Sequence, residues 1–163
     1  GVPMGSAIRG ASKSPIFTVW AAKDPEGANL DRIQIIKGWV DAQGEPQDRV
    51  FDAVWSGDRK PGGNGKVPAV GNTVDLKTAT YTNAIGGGEL MGTWSDPEFD
   101  PKQHAIYYVR VLEIPTPRHQ VFDALALGID PQATGQPEKA AEWKRKLAEF
   151  DRAEAEKKSA PKP

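Results

Sequence analysis

Hydrophobic and polar residues alternate along much of the chain up to residue 114, a period that predicts a series of short β-strands. The clearest case is Leu30–Val40, in which Ile33, Ile35 and Trp39 share one face. That pattern indicates a strand with one buried face. Runs rich in β-branched and aromatic residues predict four more strands, at residues 15–23, 48–55, 72–83 and 90–94. Irregular spacing of the apolar residues within 48–55 indicates a β-bulge or a buried strand.

The run Ala105–Ile114, with the sequence AIYYVRVLEI, differs from the others because both of its faces are largely apolar. A strand of β-branched and aromatic residues that is covered on both faces is typical of the middle of a layered sheet. We therefore expect this strand to be interior, and we expect replacement of Val109 by Asp to unfold the domain. Arg110 lies within the run, and a guanidinium in a covered strand needs a partner from another element or a route to solvent.

Composition supports an all-β interpretation. The chain has 163 residues, which suits one domain, and its 17 glycines and 14 prolines indicate many turns between short elements. Strand follows strand with no helical period between them, so the sequence predicts an antiparallel β-sandwich of the immunoglobulin- or fibronectin-like kind over residues 15–135. Residues 1–14 show no sustained period and are expected to form an irregular lead-in. The segment 119–127 fits either a last strand or a short helical turn.

The character of the sequence changes after Pro137, where strong helix formers predict an amphipathic helix over residues 137–158. Trp143, Leu147 and Phe150 lie three and four residues apart on one stripe of this helix. We expect these three side chains to dock on another surface. Residues 159–163 are expected to form a disordered tail.

Charge and composition narrow the classes of partner. The formal net charge of -1 provides no field for nucleic acid or for an anionic membrane surface. No apolar run reaches the roughly 18 residues of a membrane span, and the chain has no cysteine. His104 and His119 are its two histidines, whereas a metal centre needs three or more converging ligands. The sequence therefore predicts no metal ion and no other cofactor.

The segment Ser56–Gly71 is the first place to look for a site, because its five glycines and two prolines exclude a regular element. A loop of this length inside a compact domain is usually functional or mobile. Asp58 and Arg59 lie at its mouth. Alternate carboxylates in Asp96–Asp100 resemble a calcium loop, but prolines interrupt it and the glycine and terminal glutamate of such loops are missing. Calcium binding is therefore not expected.

Seven blocks of the sequence resemble the C-terminal part of a bacterial protein family called domain of unknown function 3604. The blocks are VPMG (2–5), WAAKDPEGANLDRIQIIKGW (20–39), WSGDRKPG (55–62), VGNTVDL (70–76), ATYTNAIG (79–86), WSDPEFDP (94–101) and YYVRVLEIPTPR (107–118). They keep a consistent order and spacing between roughly Val2 and Gly135.

The resemblance implies that a longer protein is the enzyme. Full-length members resemble the polymerase-and-histidinol-phosphatase-like metallohydrolases, whose His-x-His and Asp-His motifs near the N-terminus hold divalent metals. None of those motifs occurs in this sequence, so the chain is expected to be a non-catalytic accessory domain whose partner is the N-terminal catalytic domain of the same family. The resemblance also favours a periplasmic or extracellular location.

The resemblance further implies a polar rim that faces the catalytic domain or its ligand. Its candidate members are the polar residues Asp58, Arg59, Asp75, Asn83 and Arg118. The alternative is that these side chains make only local hydrogen bonds and surface ion pairs.

Two positions depart from the family pattern and leave two function classes open. His119 stands where the family usually has Trp, and the charged helix at 137–158 replaces a closing aromatic strand. The first class is the accessory domain of a metallohydrolase-like protein, braced against its catalytic domain. The second is an independent secreted or periplasmic binding module, for example one that binds carbohydrate.

Overall fold

The computed structural model describes residues 1–131 and 145–146. The elements in this part of the chain are β1 (Ile16–Ala22), β2 (Leu30–Val40), β3 (Pro46–Trp55), β4 (Glu89–Ser95), β5 (Ala105–Glu113) and the helix α1 (His119–Ala126). The described residues divide into two compact units, one of residues 1–72 and 83–114, the other of residues 73–82 and the described residues from 115 onward. All five strands belong to the first unit.

The first unit is an antiparallel β-sandwich, as the sequence predicted. One sheet pairs β1 with β4, and the other has the strand order β3-β2-β5, with every pair antiparallel. Taken in chain order, β1 to β5 pair in the same way as strands B, C, C′, E and F of an immunoglobulin-type sandwich. Such pairing needs no crossover helix: a short turn joins β2 to β3, whereas the long connection 56–88 leads from β3 to β4 of the other sheet.

The core lies between the two sheets. Alternate residues of β1, β2 and β4 point inward, so Val19, Ile33, Ile35 and Leu90 pack together and are almost wholly buried. Aromatic side chains complete this core, and Phe17 lies across from Tyr107 with ring centroids 4.9 Å apart. Burial of these apolar side chains supplies most of the driving force for folding.

The strand β2, not β5, is the central strand. Hydrogen-bonded strands flank β2 on both sides, and its residues from Leu30 to Lys37 are all buried. Among the described residues β5 is an edge strand, and Tyr108 and Val109 are 55% and 39% exposed. The prediction that Ala105–Ile114 is interior is therefore wrong. In the described part of the chain the opposite sheet has two strands, and Val109 is partly exposed to solvent, so Val109→Asp is not expected to unfold the domain.

The predicted irregularity in β3 is a β-bulge at Ala53. Ile33 pairs with Val54 whereas Gln34 pairs with Asp52, so Ala53 is the extra residue of β3. This bulge confirms the interpretation of the apolar spacing in that run.

The strand predicted at residues 72–83 is wrong. Asp75 and Thr80 form only an isolated bridge, and the segment between them turns, with a φ of 51° at Ala79. Oδ1 of Asp75 accepts the backbone N–H of Lys77 at 2.8 Å. A side-chain acceptor of this kind competes with the hydrogen bonds of a strand ladder, so the Thr-rich composition did not decide the conformation.

The ambiguous segment 119–127 is helical, since α1 covers His119–Ala126. The predicted helix at 137–158, its docking residues Trp143, Leu147 and Phe150, and the tail at 159–163 lie outside the described residues, apart from the helical pair Arg145 and Lys146. No helix in the described part of the chain is both long and apolar enough to cross a membrane.

Candidate functional site

A buried polar network covers the outer face of the three-stranded sheet. Because Ile33 and Ile35 face the core, their neighbours Arg32 and Gln34 project from the opposite face of β2. Nη1 of Arg32 binds Oδ2 of Asp52 at 2.9 Å, and Nε2 of Gln34 binds Oδ1 of the same carboxylate at 2.7 Å. Both oxygens of Asp52 are thereby used.

The side chain of Arg110 joins this network from β5. Its Nε and Nη2 both donate to Oε1 of Gln34, at 3.0 and 2.6 Å. Gln34 therefore links the guanidinium of Arg110 to the carboxylate of Asp52 across three strands. This amide is the partner that the sequence required for an arginine in that strand, and it comes from the central strand β2.

The network also ties down the glycine-rich loop. The backbone N–H of Val67 donates to Oδ2 of Asp52 at 2.8 Å, and Arg32 donates to the carbonyls of Val67 and Pro68 at 2.7 and 2.9 Å. Val67 is 4% exposed, so this part of the loop is held against the sheet.

Arg59 is the second arginine, after Arg32, that holds the glycine-rich loop in place. Its guanidinium lies 2.7 Å from Oδ1 of Asp31 and donates to the carbonyls of Ser56 and Pro68 at 3.0 and 2.8 Å. Asp58 beside it is exposed and takes no part in these contacts. Two arginines therefore fix the base of the loop, while residues 60–66 at its tip are all exposed.

Asp52 stays ionised in this setting. Burial raises the pKa of the Asp52 carboxyl, but hydrogen bonds from Gln34 and from the backbone of Val67, together with the positive charge of Arg32, outweigh it and hold that pKa below its usual value. A charged carboxylate in a covered network contributes to the fold by pairing, and its oxygens are not open to a substrate.

A second buried network lies on the core side of the sandwich. Nζ of Lys37 lies 2.7 Å from Oδ2 of Asp96, and the hydroxyl of Tyr107 donates to the same oxygen at 2.7 Å. Lys37 also donates to the carbonyl of Glu98 at 2.8 Å. Because Asp96 is paired with Lys37 and accepts a hydrogen bond from Tyr107, its carboxylate holds the segment 96–100 against the sandwich.

The other predicted polar residues make local contacts. Oδ1 of Asn83 accepts the backbone N–H of Asn29 at 2.8 Å, and its Nδ2 donates to the carbonyl of Gly27 at 3.1 Å. Asp75 holds a turn in the second unit, where Arg118 is exposed and directly precedes α1.

Within the described part of the chain, no hydrogen bond or ion pair joins any two of Asp58, Arg59, Asp75, Asn83 and Arg118. Within the first unit, Asp58 and Arg59 belong to the glycine-rich loop. Asn83, in contrast, makes its hydrogen bonds to Gly27 and Asn29, in the connection between β1 and β2. The described residues also contain no group of three or more His, Asp or Glu placed to hold a metal ion.

An open cleft of about 360 Å³ lies within the second unit. Its lining is Leu76, Lys77, Leu125, Gly128, Ile129, Asp130 and Pro131. None of the five predicted polar residues lines it.

The outer face of the two-stranded sheet is apolar and exposed. Trp20 of β1 pairs directly with Met91 of β4, and their exposed fractions are 64% and 69%. Ile16 is 74% exposed further along the same face, and Thr18 and Thr93 lie between them. We call Ile16, Thr18, Trp20, Met91 and Thr93 the β1–β4 outer face.

Sequence reasoning missed most of the residues that carry the two networks, namely Asp31, Arg32, Gln34, Lys37 and Asp52, and it considered Asp96 only as a possible calcium ligand. A signal was present, because charged residues of both signs occupy strand positions in Leu30–Val40 and Asp48–Trp55. Buried charges are expected to be paired, so opposite charges in neighbouring strands indicate such a network.

A family comparison agrees with the residues and blocks described above. The model of the family described as "Protein of unknown function (DUF3604)" matches residues 1–143. The chain belongs to this family. No curated protein and no solved structure matches it.

Proposed function

We propose that the chain is a non-catalytic accessory β-sandwich of a larger, metal-dependent hydrolase-like protein of this family. The observation that carries the proposal is the β1–β4 outer face, which exposes Trp20 and Met91 side by side. Exposed aromatic and Met side chains that adjoin on one surface are typical of protein contacts. The five residues of this face carry no charge, so it suits a partner surface that is also apolar.

The use of the buried charged residues supports the same proposal. Three ion pairs within the sandwich use these residues, namely Arg32 with Asp52, Arg59 with Asp31, and Lys37 with Asp96. These side chains hold strands and a loop in place, as a rigid supporting domain requires.

The glycine-rich loop would be the second point of contact with a catalytic domain. Its base is fixed by Arg32 and Arg59, and its tip bends in a turn where Oδ1 of Asn64 accepts the N–H of Lys66 at 3.0 Å. The glycine-rich part of this tip, residues 61–65, lies on a fixed base and can reach into a neighbouring pocket without reordering the sandwich.

A binding measurement tests the proposal. The chain is mixed with the separately produced metallohydrolase-like region of a full-length family member, and the association is followed by isothermal titration calorimetry. We expect binding that Trp20→Ala and Met91→Ala each weaken at least tenfold, because interface energy concentrates in a few aromatic and Met anchors. Met4→Ala is the matched control, since Met4 is 94% exposed and lies outside the β1–β4 outer face. Equal loss with Met4→Ala, or no binding at all, would contradict the proposal.

An activity measurement tests the non-catalytic part. The chain alone is incubated with aryl phosphate and aryl sulfate esters in the presence of manganese or zinc. We expect no turnover. Turnover that disappears when residues of this chain are replaced would show that the chain is itself an enzyme.

The second candidate function is an independent carbohydrate-binding module. The favouring observation is again Trp20, because an exposed aromatic ring on a flat strand surface can stack on a sugar ring. Affinity electrophoresis in gels that contain soluble polysaccharides distinguishes the two functions. Retardation of the wild-type chain that is lost in Trp20→Ala would favour the carbohydrate module, and unchanged mobility in every gel would count against it.

A further inference from the structure

The outer edge of β5 is a regular strand edge with no partner strand among the described residues. The backbone N–H of Ile114 donates to the carbonyl of Asn29 at 2.8 Å, on the side of β2. Because hydrogen-bonding groups alternate along a strand, the backbone groups of Tyr108 and Arg110 also face β2, and those of Val109 and Val111 face the open edge. The edge is thus a row of unpaired donors and acceptors.

This edge lacks the features that usually protect an edge strand. The nine residues of β5 contain no proline and no lysine, and β5 pairs with β2 without an extra residue of its own. Its one cation, Arg110, is drawn back over the sheet by Gln34. A long edge of this kind is a template for another strand.

No strand in the described part of the chain pairs with this edge. In the described part, residues 1–14 and 115–131 contribute no strand. Residues 132–163 contain no Val, Ile or Tyr and consist mainly of helix formers and prolines, a composition poorly suited to a strand. A second copy of the chain, in contrast, brings an identical and antiparallel-compatible edge.

We propose that two copies of the chain pair through β5 in an antiparallel, two-fold arrangement centred on Val109. The result is a continuous six-stranded sheet with the order β3-β2-β5-β5-β2-β3. Val109 is the middle residue of Ala105–Glu113, so this register pairs the whole strand with its copy. Such pairing needs no metallohydrolase partner and extends beyond the proposed function.

Side-chain chemistry selects the register centred on Val109. It places Tyr108 opposite Arg110 of the second copy, so that no two like charges lie directly opposite each other. It also places Ile106 opposite Leu112. A register centred on Arg110 would set the two guanidinium groups against each other, and one centred on Tyr108 would leave Leu112 and Glu113 unpaired.

Sedimentation equilibrium of the full chain tests the pairing. We expect a concentration-dependent dimer that Val109→Lys converts to a monomer with an unchanged far-ultraviolet circular dichroism spectrum, since lysine on an edge opposes pairing. Met91→Lys is the control, because Met91 is at least as exposed but lies on the other sheet; this variant should remain dimeric. A monomeric wild type, or a dimer that Met91→Lys abolishes and Val109→Lys leaves intact, would overturn the proposal.

Single cysteines test the register, since the chain has no cysteine of its own. Cys in place of Val109 would face its copy on the two-fold axis at about 5.5 Å between Cα atoms, within disulfide range. Val111 is similarly exposed, at 43% against 39%, but lies roughly 14 Å from its copy because four residues separate them along the strand. We expect oxidation to cross-link Val109→Cys and leave Val111→Cys largely monomeric. Equal cross-linking of both variants, or of Val111→Cys alone, would rule out this register.

Discussion

Lys37 and Asp96 form an ion pair inside the sandwich, with Nζ and Oδ2 2.7 Å apart and side chains only 3% and 0% exposed. Lys37 belongs to the central strand of one sheet, and Asp96 directly follows β4 of the other. The pair therefore ties the two sheets together. Tyr107 adds a third contact to the same carboxylate.

We expect Asp96→Asn to destabilise the chain by about 3 to 5 kcal/mol, because it leaves the ammonium of Lys37 buried without a counter-charge. Urea unfolding measures this change. The double variant Lys37→Met/Asp96→Asn should lose less stability than the sum of the two single variants, since no charge is then left unpaired.

The ion pair between Arg49 and Glu98 is the matched control for this prediction. Its atoms are 2.9 Å apart, but the side chains are 56% and 42% exposed. Glu98→Gln should therefore cost at most about 1 kcal/mol. Equal costs for Glu98→Gln and Asp96→Asn would contradict the structural role given to burial.

We expect the stability of the chain to fall as the pH drops below about 4. Burial raises the pKa of the Asp96 carboxyl, but hydrogen bonds from Lys37 and Tyr107 outweigh burial and lower that pKa below its usual value of about 3.9. A carboxyl whose pKa is lowered in the folded state stabilises the fold fully above the unfolded pKa and loses that contribution as the pH falls through the folded pKa.

Urea midpoints at a series of pH values between neutrality and acid measure this dependence. The acid side of the curve should be flatter for Asp96→Asn, since an amide does not titrate. Other carboxylates such as Asp52 contribute to the slope in both proteins, so the comparison isolates Asp96. Superimposable slopes for the wild type and the variant would contradict the assignment.

We expect Gly86→Ala to destabilise the chain by about 1 to 3 kcal/mol, because Gly86 has a φ of 78°. A Cβ there would lie 2.6 Å from Cγ2 of Ile114 and 2.8 Å from Cβ of Asn29, so the clash adds to the backbone strain. Gly88→Ala is the control, since no atom lies within 4 Å of its added Cβ. Thermal unfolding of both variants decides the matter, and equal melting temperatures would contradict it.

The C-terminal helix remains a prediction from the sequence. Burial of Trp143, Leu147 and Phe150 would be worth about 1.5 to 3 kcal/mol each, before the cost of ordering the helix is subtracted. Truncation after Gly135 should therefore lower the melting temperature, whereas removal of residues 153–163 should have little effect. Unchanged thermal unfolding after truncation at Gly135 would mean that the helix contributes nothing to the fold.

The sequence located the glycine-rich loop and Arg59 at its mouth, but not the partners through which Arg32 and Arg59 fix the loop. The loop was identified by composition, a local property. These partners could not be found in this way, because Arg32 reaches a carbonyl 35 residues ahead in the chain and Arg59 pairs with Asp31, 28 residues behind it. Local periodicity carries no information about partners that are brought together only by the fold. Asp58, the obvious acidic neighbour, is exposed and takes no part in the clamp.

The same limit explains the exchange of roles between β2 and β5. Polar residues in β2 suggested a strand with one solvent face, yet Arg32, Gln34 and Lys37 are buried because each is paired. The apolar residues of β5 suggested a covered strand, yet Val109 is 39% exposed. The location of most strands along the chain followed from the alternation of apolar and polar residues. Whether a strand is central or at an edge depends instead on how many strands each sheet contains.

Two substitutions test the conclusion that β2, and not β5, is the central strand. Ile35 of β2 is 1% exposed and pairs directly with Val109 of β5, which is 39% exposed. We expect Ile35→Ala to cost about 2 to 5 kcal/mol, because it removes buried methyl groups and leaves a cavity. Val109→Ala should cost under about 1 kcal/mol, since water can fill the space at the strand edge. Urea unfolding at low protein concentration, where self-association is absent, measures both costs. If Val109→Ala proved as destabilising as Ile35→Ala, β5 would have to be covered and the assignment of β2 as the central strand would fail.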